Sequence, residues 1–165
     1  KLALVTDVHA NREAFEAVLE HAVTQAVDRY ALLGDFVGYG ADPGWVVDRV
    51  RALVDDGAIA IQGNHDEAVV NGPRGSMVLQ AREAVAWTRQ QLSAGQIDFL
   101  ARLPLSVTEG DQLFVHANNV APAQWGYVTS RLDAATCLHA TTARHIFCGH
   151  VHAQGLYHLT MAGAS

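Results

Sequence analysis

The chain has 165 residues, which suits a single domain over 1–165, and half of them are hydrophobic, enough for a sizeable core. A formal net charge of −6 argues against broad nucleic-acid binding through a basic surface and leaves only nucleotides or short oligonucleotides in that class. No apolar run can span a bilayer and no basic, apolar leader precedes the first strand, so no membrane partner is expected, while two cysteines fit a reducing cytoplasm.

LALVT (2–6) reads as a fully buried strand. A helix follows, with Asn11 as N-cap and Phe15, Val18, Leu19, Ala22 and Val23 spaced to share one face. YALLG (30–34) is the second strand. Asp42, Pro43 and Gly57 then mark the cap, first turn and end of a second helix, whose apolar stripe is Val46, Val50, Leu53 and Val54. AIAIQ (58–62) is the third strand. Residues 76–103 are helical with a break at 93–95, and LSVTEGDQLFVH (105–116) is a hairpin about Gly110 and Asp111. Residues 131–142 form a weaker helix, HIFCG (145–149) another buried strand holding a buried Cys148 thiol, and GLYHLT (155–160) a last strand with no obvious partner. Such alternation predicts an α/β fold: a largely parallel sheet with helices on both faces, made mixed by the hairpin.

Polar clusters fall where these strands end. Asp7 and His9 follow the first strand, Asp35 the second, Asn64 and His65 the third, His116 the hairpin, and His150 and His152 the HIFC strand. Parallel strands share a rim at their carboxyl ends, so these residues should converge there. Carboxylate with imidazole suits Mn, Fe, Ni or Zn, whereas Mg or Ca takes nearly all-oxygen sets. Leaving His65 aside, the donors exceed the four protein ligands of a tetrahedral zinc site and suffice for two ions if one carboxylate bridges. Asp35, on a central strand, is the natural bridge. Gly34, Gly63 and Gly149 each precede a donor, where the backbone turns tightly or comes close to another segment. His21, His139, His145 and His158 are expected to be surface or packing histidines, Trp87 and Trp125 core or lid residues, and Arg74 a loop residue rather than a phosphate ligand.

In this order, Asp7-Val8-His9, Gly34-Asp35, Gly63-Asn64-His65-Asp66, His116 and Gly149-His150-Val151-His152 resemble the signature of the calcineurin-like metallophosphoesterase superfamily, and GDFVGYGADP looks like its small bacterial phosphodiesterase/phosphatase branch, with Ala41 where Pro is more usual. The resemblance implies a β-sandwich flanked by helices, with further strands beyond Ser165. It implies one divalent ion, Mn first, on Asp7, His9, Asp35 and His152, and a second on Asp35, Asn64, His116 and His150. It also implies hydrolysis of a small phosphomonoester or phosphodiester by a hydroxide bridging ions about 3.5–4 Å apart. His65 would face the substrate as acid or charge stabiliser, and Asp66 would either orient it or cap the next helix. Tyr39 and the 118–128 loop would line the pocket. The alternative is a non-catalytic scaffold or interaction module on the same fold.

Overall fold

In the computed structural model, which describes residues 1–75 and 77–160 together with the backbone of 163–164, the first three apolar runs pair in parallel. β1 (Leu2–Val5), β2 (Arg29–Leu32) and β3 (Ile59–Ala60) lie side by side in that order. The crossovers between them contain α1 (Arg12–Thr24) and α2 (Pro43–Asp55). Asn11 accepts the N–H of Ala14 at 3.0 Å and so caps α1. Asp42 makes no side-chain cap bond; Pro43 in the first turn starts α2 instead.

Three helices follow: α3 (Asn64–Asn71), α4 (Leu79–Gln91) and α5 (Ala94–Arg102). The break between the last two is a capping box, in which Ser93 and Gln96 satisfy each other's backbone N–H. The hairpin is β4 (Ser106–Glu109) with β5 (Gln112–Val115). After α6 (Arg131–His139), β6 (His145–Phe147) pairs in parallel with β5. Within 155–160 only β7 (Leu159–Thr160) is extended, and its partner is β8 (Gly163–Ala164).

The hairpin does not join the first sheet. It belongs to a second one, ordered β4-β5-β6, so the single mixed sheet inferred from alternation is replaced by two packed sheets, as the family resemblance implied. Side-chain alternation explains the packing. Val5, Leu32 and Ala60 point to a core built with Phe15, Leu19, Val46, Val50, Val69, Val85 and Leu100 from α1 to α5. Ala31, Leu33, Ile59 and Ile61 point the other way, against Phe114 of β5, with Val107 and Phe147 alongside. Strands with both faces covered read as nearly unbroken apolar runs, which is what ALL and AIAI are.

Three burial expectations are corrected. β1 is an edge strand and Leu4 is 44% exposed, so it is not buried throughout. β6 is also an edge strand; His145 and Cys148 are exposed, and the buried cysteine is Cys137. On α1 only Phe15, Leu19 and Ala22 are buried, while Val18 and Val23 lie on the margins of that face, in solvent. Among the described residues no helix is long and apolar enough to cross a membrane.

Candidate metal centre

The carboxyl ends of β1, β2, β3, β5 and β6 meet at one rim, and the structure brings every expected donor to it. The backbone ties the rim together: the N–H of Asp7 donates to the Gly34 carbonyl, that of His9 to Asp35, and that of Gly149 to His116. Two glycines allow these approaches. A Cβ on Gly63 would run into Asp35, and one on Gly149 into Thr6 and Asp7.

The donors form two groups that share one atom. In the first, His152 Nε2 lies 3.1 Å from Asp7 Oδ1 and 3.2 Å from His9 Nε2, which in turn is 3.8 Å from Asp35 Oδ2. In the second, His116 Nε2 lies 3.4 Å from the same Asp35 Oδ2 and 3.1 Å from Asn64 Oδ1. His150 completes it: donor atoms of Asp35, His116 and His150 all lie within 4.8 Å of one another. Donors about 2.0–2.2 Å from one ion stand roughly 3–3.5 Å apart, so most of these separations suit a cation.

The hydrogen bonds around the donors fix which atoms face inward. Asp7 Oδ2 accepts from Thr6 Oγ1 at 2.6 Å and from the His150 N–H at 3.0 Å, which leaves Oδ1 toward His152. Asp35 Oδ1 accepts the N–H of His65 at 2.8 Å, which leaves Oδ2 between the two groups. His9 and His116 each direct Nδ1 to a backbone carbonyl, of Val37 at 3.2 Å and Leu33 at 2.7 Å, and keep Nε2 free for a ligand. His150 reverses the pattern: its Nε2 faces the Trp125 carbonyl at 3.0 Å, and Nδ1 is left. Anchoring of this kind selects the tautomer and aims the imidazole, as metal-binding histidines require. The donor set therefore fits two transition ions.

The backbone at the rim is strained. Of the seven expected ligands, five hold positive φ: Asp7 at 55°, His9 at 49°, Asp35 at 53°, His150 at 69° and His152 at 57°. Tyr39 at 65° and Trp125 at 56° join them. Residues other than glycine seldom adopt this left-handed conformation, which costs on the order of 1–3 kcal/mol each and gathers at functional sites.

Charge is unevenly set. Burial pulls the His116 imidazole down, but the hydrogen bond and charge of Asp35 win and hold it at about 9. Burial opposes ionisation of Asp35, yet His116 keeps that carboxyl well below its usual range. Burial lowers His65 and His150. Burial also raises the Tyr39 phenol, with the Asp35 carboxylate and Tyr127 adding to the effect.

His65 is 6% exposed and differs from the other imidazoles at the rim. Its Nδ1 is buried with no hydrogen-bond partner, packed against Gly38, and its ring meets His9 edge-on at 4.9 Å. It also stands within donor reach of His9 and Asp35.

Among the described residues no hydrogen bond joins Asp66 to the His65 ring, which corrects the expectation that it orients that ring. It is fully buried, and its oxygens accept the N–H groups of Phe36 at 2.9 Å, Val37 at 3.2 Å and Gly63 at 2.9 Å. It clasps the loop after β2 to the start of α3. Burial, and then Asp35, push its carboxyl up to about 7 against those donors.

Arg74 is committed to Glu67 by two hydrogen bonds of 2.9 and 2.7 Å, consistent with a loop residue. Glu67 also accepts the Trp125 indole N–H at 3.2 Å. His21, His139, His145 and His158 are all exposed, as is Trp87, whereas Trp125 is buried beside His116. Sequence reasoning missed the carbonyls of Leu33, Val37 and Trp125 and the Glu67 bridge. Backbone acceptors carry no side-chain signal, and no pattern in the sequence could have marked them.

Residues 1–160 match the sequence profile of the calcineurin-like phosphoesterase superfamily domain. An uncharacterised protein of Methanocaldococcus jannaschii is 33% identical over 133 residues, covering 77% of this chain and 53% of the relative. A metallophosphoesterase structure from Sphaerobacter thermophilus is 38% identical with a TM-score of 0.79, over 92% of this chain and 60% of that one. A hypothetical protein of Pyrococcus horikoshii superposes with a TM-score of 0.85 over 99% of this chain and 73% of its own; at 16% identity the likeness is one of fold. The chain thus spans about half the length of the curated relative it matches.

Proposed function

The chain belongs to the calcineurin-like phosphoesterase superfamily, and from that premise we propose that it hydrolyses phosphomonoester or phosphodiester bonds with the help of two divalent ions. The observation that carries this reading is Asp35 Oδ2, one carboxylate oxygen shared by two donor groups. Asp7, His9, Asp35 and His152 would hold one ion; Asp35, Asn64, His116 and His150 would hold the other. The mixture of imidazole and carboxylate favours manganese, iron, nickel or zinc, with manganese the first to try. Bound there, two such ions supply Lewis acidity at the phosphoryl oxygens and make water a stronger nucleophile at neutral pH.

The remaining work falls to the chain's own groups. Asp7 and Asp35 each use one oxygen to fix themselves and present the other. Burial lowers His65 and so favours its neutral form, and a neutral imidazole still offers one N–H. Its place beside His9 suits donation to the oxygen on which charge builds as the ester bond breaks.

In the metal-free protein His116, held at about 9, carries a proton at pH 7. That proton must leave when a cation takes Nε2. Titration with manganese at pH 7, in buffers of different ionisation heat, should therefore register about one proton released per chain. The raised value also fixes the sign of the pH dependence: affinity weakens as pH falls below about 9, and release fades above it. Heat of binding that is independent of the buffer would contradict the assignment of His116.

The function is tested by a metal-reconstituted screen of the full-length protein. Aryl phosphomonoester, aryl phosphodiester and nucleotide substrates are run in parallel, with ion content measured on the same sample. Turnover of at least one class with two ions per chain is expected. No turnover of any class at full loading would favour the scaffold.

A further inference from the structure

Two tyrosines stand over the donor groups and serve no visible purpose in the fold. Tyr39 leans on His9, ring centroids 5.1 Å apart at 67°, and on His65 at 4.7 Å and 51°. Tyr127 lies flat on His150, 4.2 Å away at 17°. His9 belongs to one donor group and His150 to the other, with the shared oxygen of Asp35 between them. The two rings are thus posted on either half of the rim.

Neither ring belongs to an apolar core, and they are 55% and 62% exposed. Neither phenol hydroxyl has a hydrogen-bond partner among the described residues. Tyr39 is moreover held at a φ of 65°, a conformation that a bulky residue adopts only when its surroundings impose it. Large aromatic surface left in water at a strained position, beside the proposed reacting centre, is surface available to a ligand.

We infer that Tyr39 and Tyr127 select the organic part of the ester, and that the preferred substrates are phosphoesters carrying a flat aromatic ring, either an aryl group or a nucleobase. The inference rests on the phosphoesterase reading of the same centre. A planar ring that stacks on either tyrosine keeps its phosphate over the donor groups, whereas an alkyl group gains no such contact. Stacking tolerates many rings because each presents a π-face, so selection is for flatness rather than for one base.

The test is binding of phosphonates, which resist hydrolysis, to the full protein loaded with manganese. The probes are methylphosphonate, phenylphosphonate and the phosphonate analogue of adenosine monophosphate. At least one aromatic probe should bind about tenfold tighter than methylphosphonate, the scale of a single stacking contact. Which of the two gains more tells an aryl preference from a nucleoside one. In Tyr39→Leu or Tyr127→Leu that ratio should fall about tenfold, while Tyr39→Phe and Tyr127→Phe, which keep the ring, should retain it. Equal affinity for all three probes, or a ratio unchanged in both Leu variants, would overturn the inference and leave the phosphoesterase reading standing. Binding of no phosphonate at full ion loading would overturn both.

Discussion

Asp35→Asn is expected to empty both halves of the centre at once. The amide can keep the hydrogen bond that Oδ1 accepts from the His65 N–H, so the start of α3 stays in place. What changes is the other atom. An uncharged NH2 then faces His9 Nε2 and His116 Nε2, where a carboxylate oxygen now lies 3.8 and 3.4 Å away. The charge that makes a shared cation site possible is gone, and the counter-charge that keeps His116 protonated at about 9 goes with it. Metal analysis after dialysis should find well under one ion per chain. Turnover should fall by about 10³-fold or more, since several kcal/mol of charge stabilisation leave with the ions. Retention of two ions per chain would refute the bridge, whatever happened to the rate.

His65→Ala should behave in the opposite way. It should keep two ions and the melting temperature close to that of the parent, yet lose about 10²–10⁴ of its turnover, the range typical of a positioned proton donor. Its Nδ1 makes no hydrogen bond to lose, and the neighbouring Gly38 packs against the ring without depending on it. The leaving group supplies the discriminating measurement. If the imidazole N–H serves the departing oxygen, alkyl esters should suffer more than esters of acidic phenols, which leave without help. An empty centre in a folded variant would place His65 among the ligands instead, a position that its distance to His9 and Asp35 also permits.

The rim was legible in the sequence because strand ends are legible. Short apolar runs such as ALL and AIAI announce strands covered on both faces, and the donors Asp35 and Asn64, each just after the glycine that ends such a run, fall at the rim. The sandwich was less legible. Nothing in the alternation of helix and strand says that β4 and β5 leave the first sheet; that is decided by Phe114 packing on Ile59 and Ile61. Exposure was not legible either: LALVT and HIFCG are as apolar as AIAI, and all three are edge strands, but only AIAI places buried residues in both hydrophobic clusters. Asp66 shows the limit most plainly. Next to His65 in sequence, it points away from it in space, because the first turn of α3 sends successive side chains in different directions.

The backbone twist at Asp7, His9, Asp35, His150 and His152 carries a consequence for anyone engineering this protein. Glycine at His152, the one of these side chains that makes no hydrogen bond to the backbone among the described residues, would relax the main chain and, by the same stroke, delete a ligand. A screen that rewards heat resistance alone would therefore favour its own worst outcome: hardier descendants that have shed their chemistry. Selection has to be run with the ions present and the activity scored, so that tolerance of heat and retention of the centre are judged together.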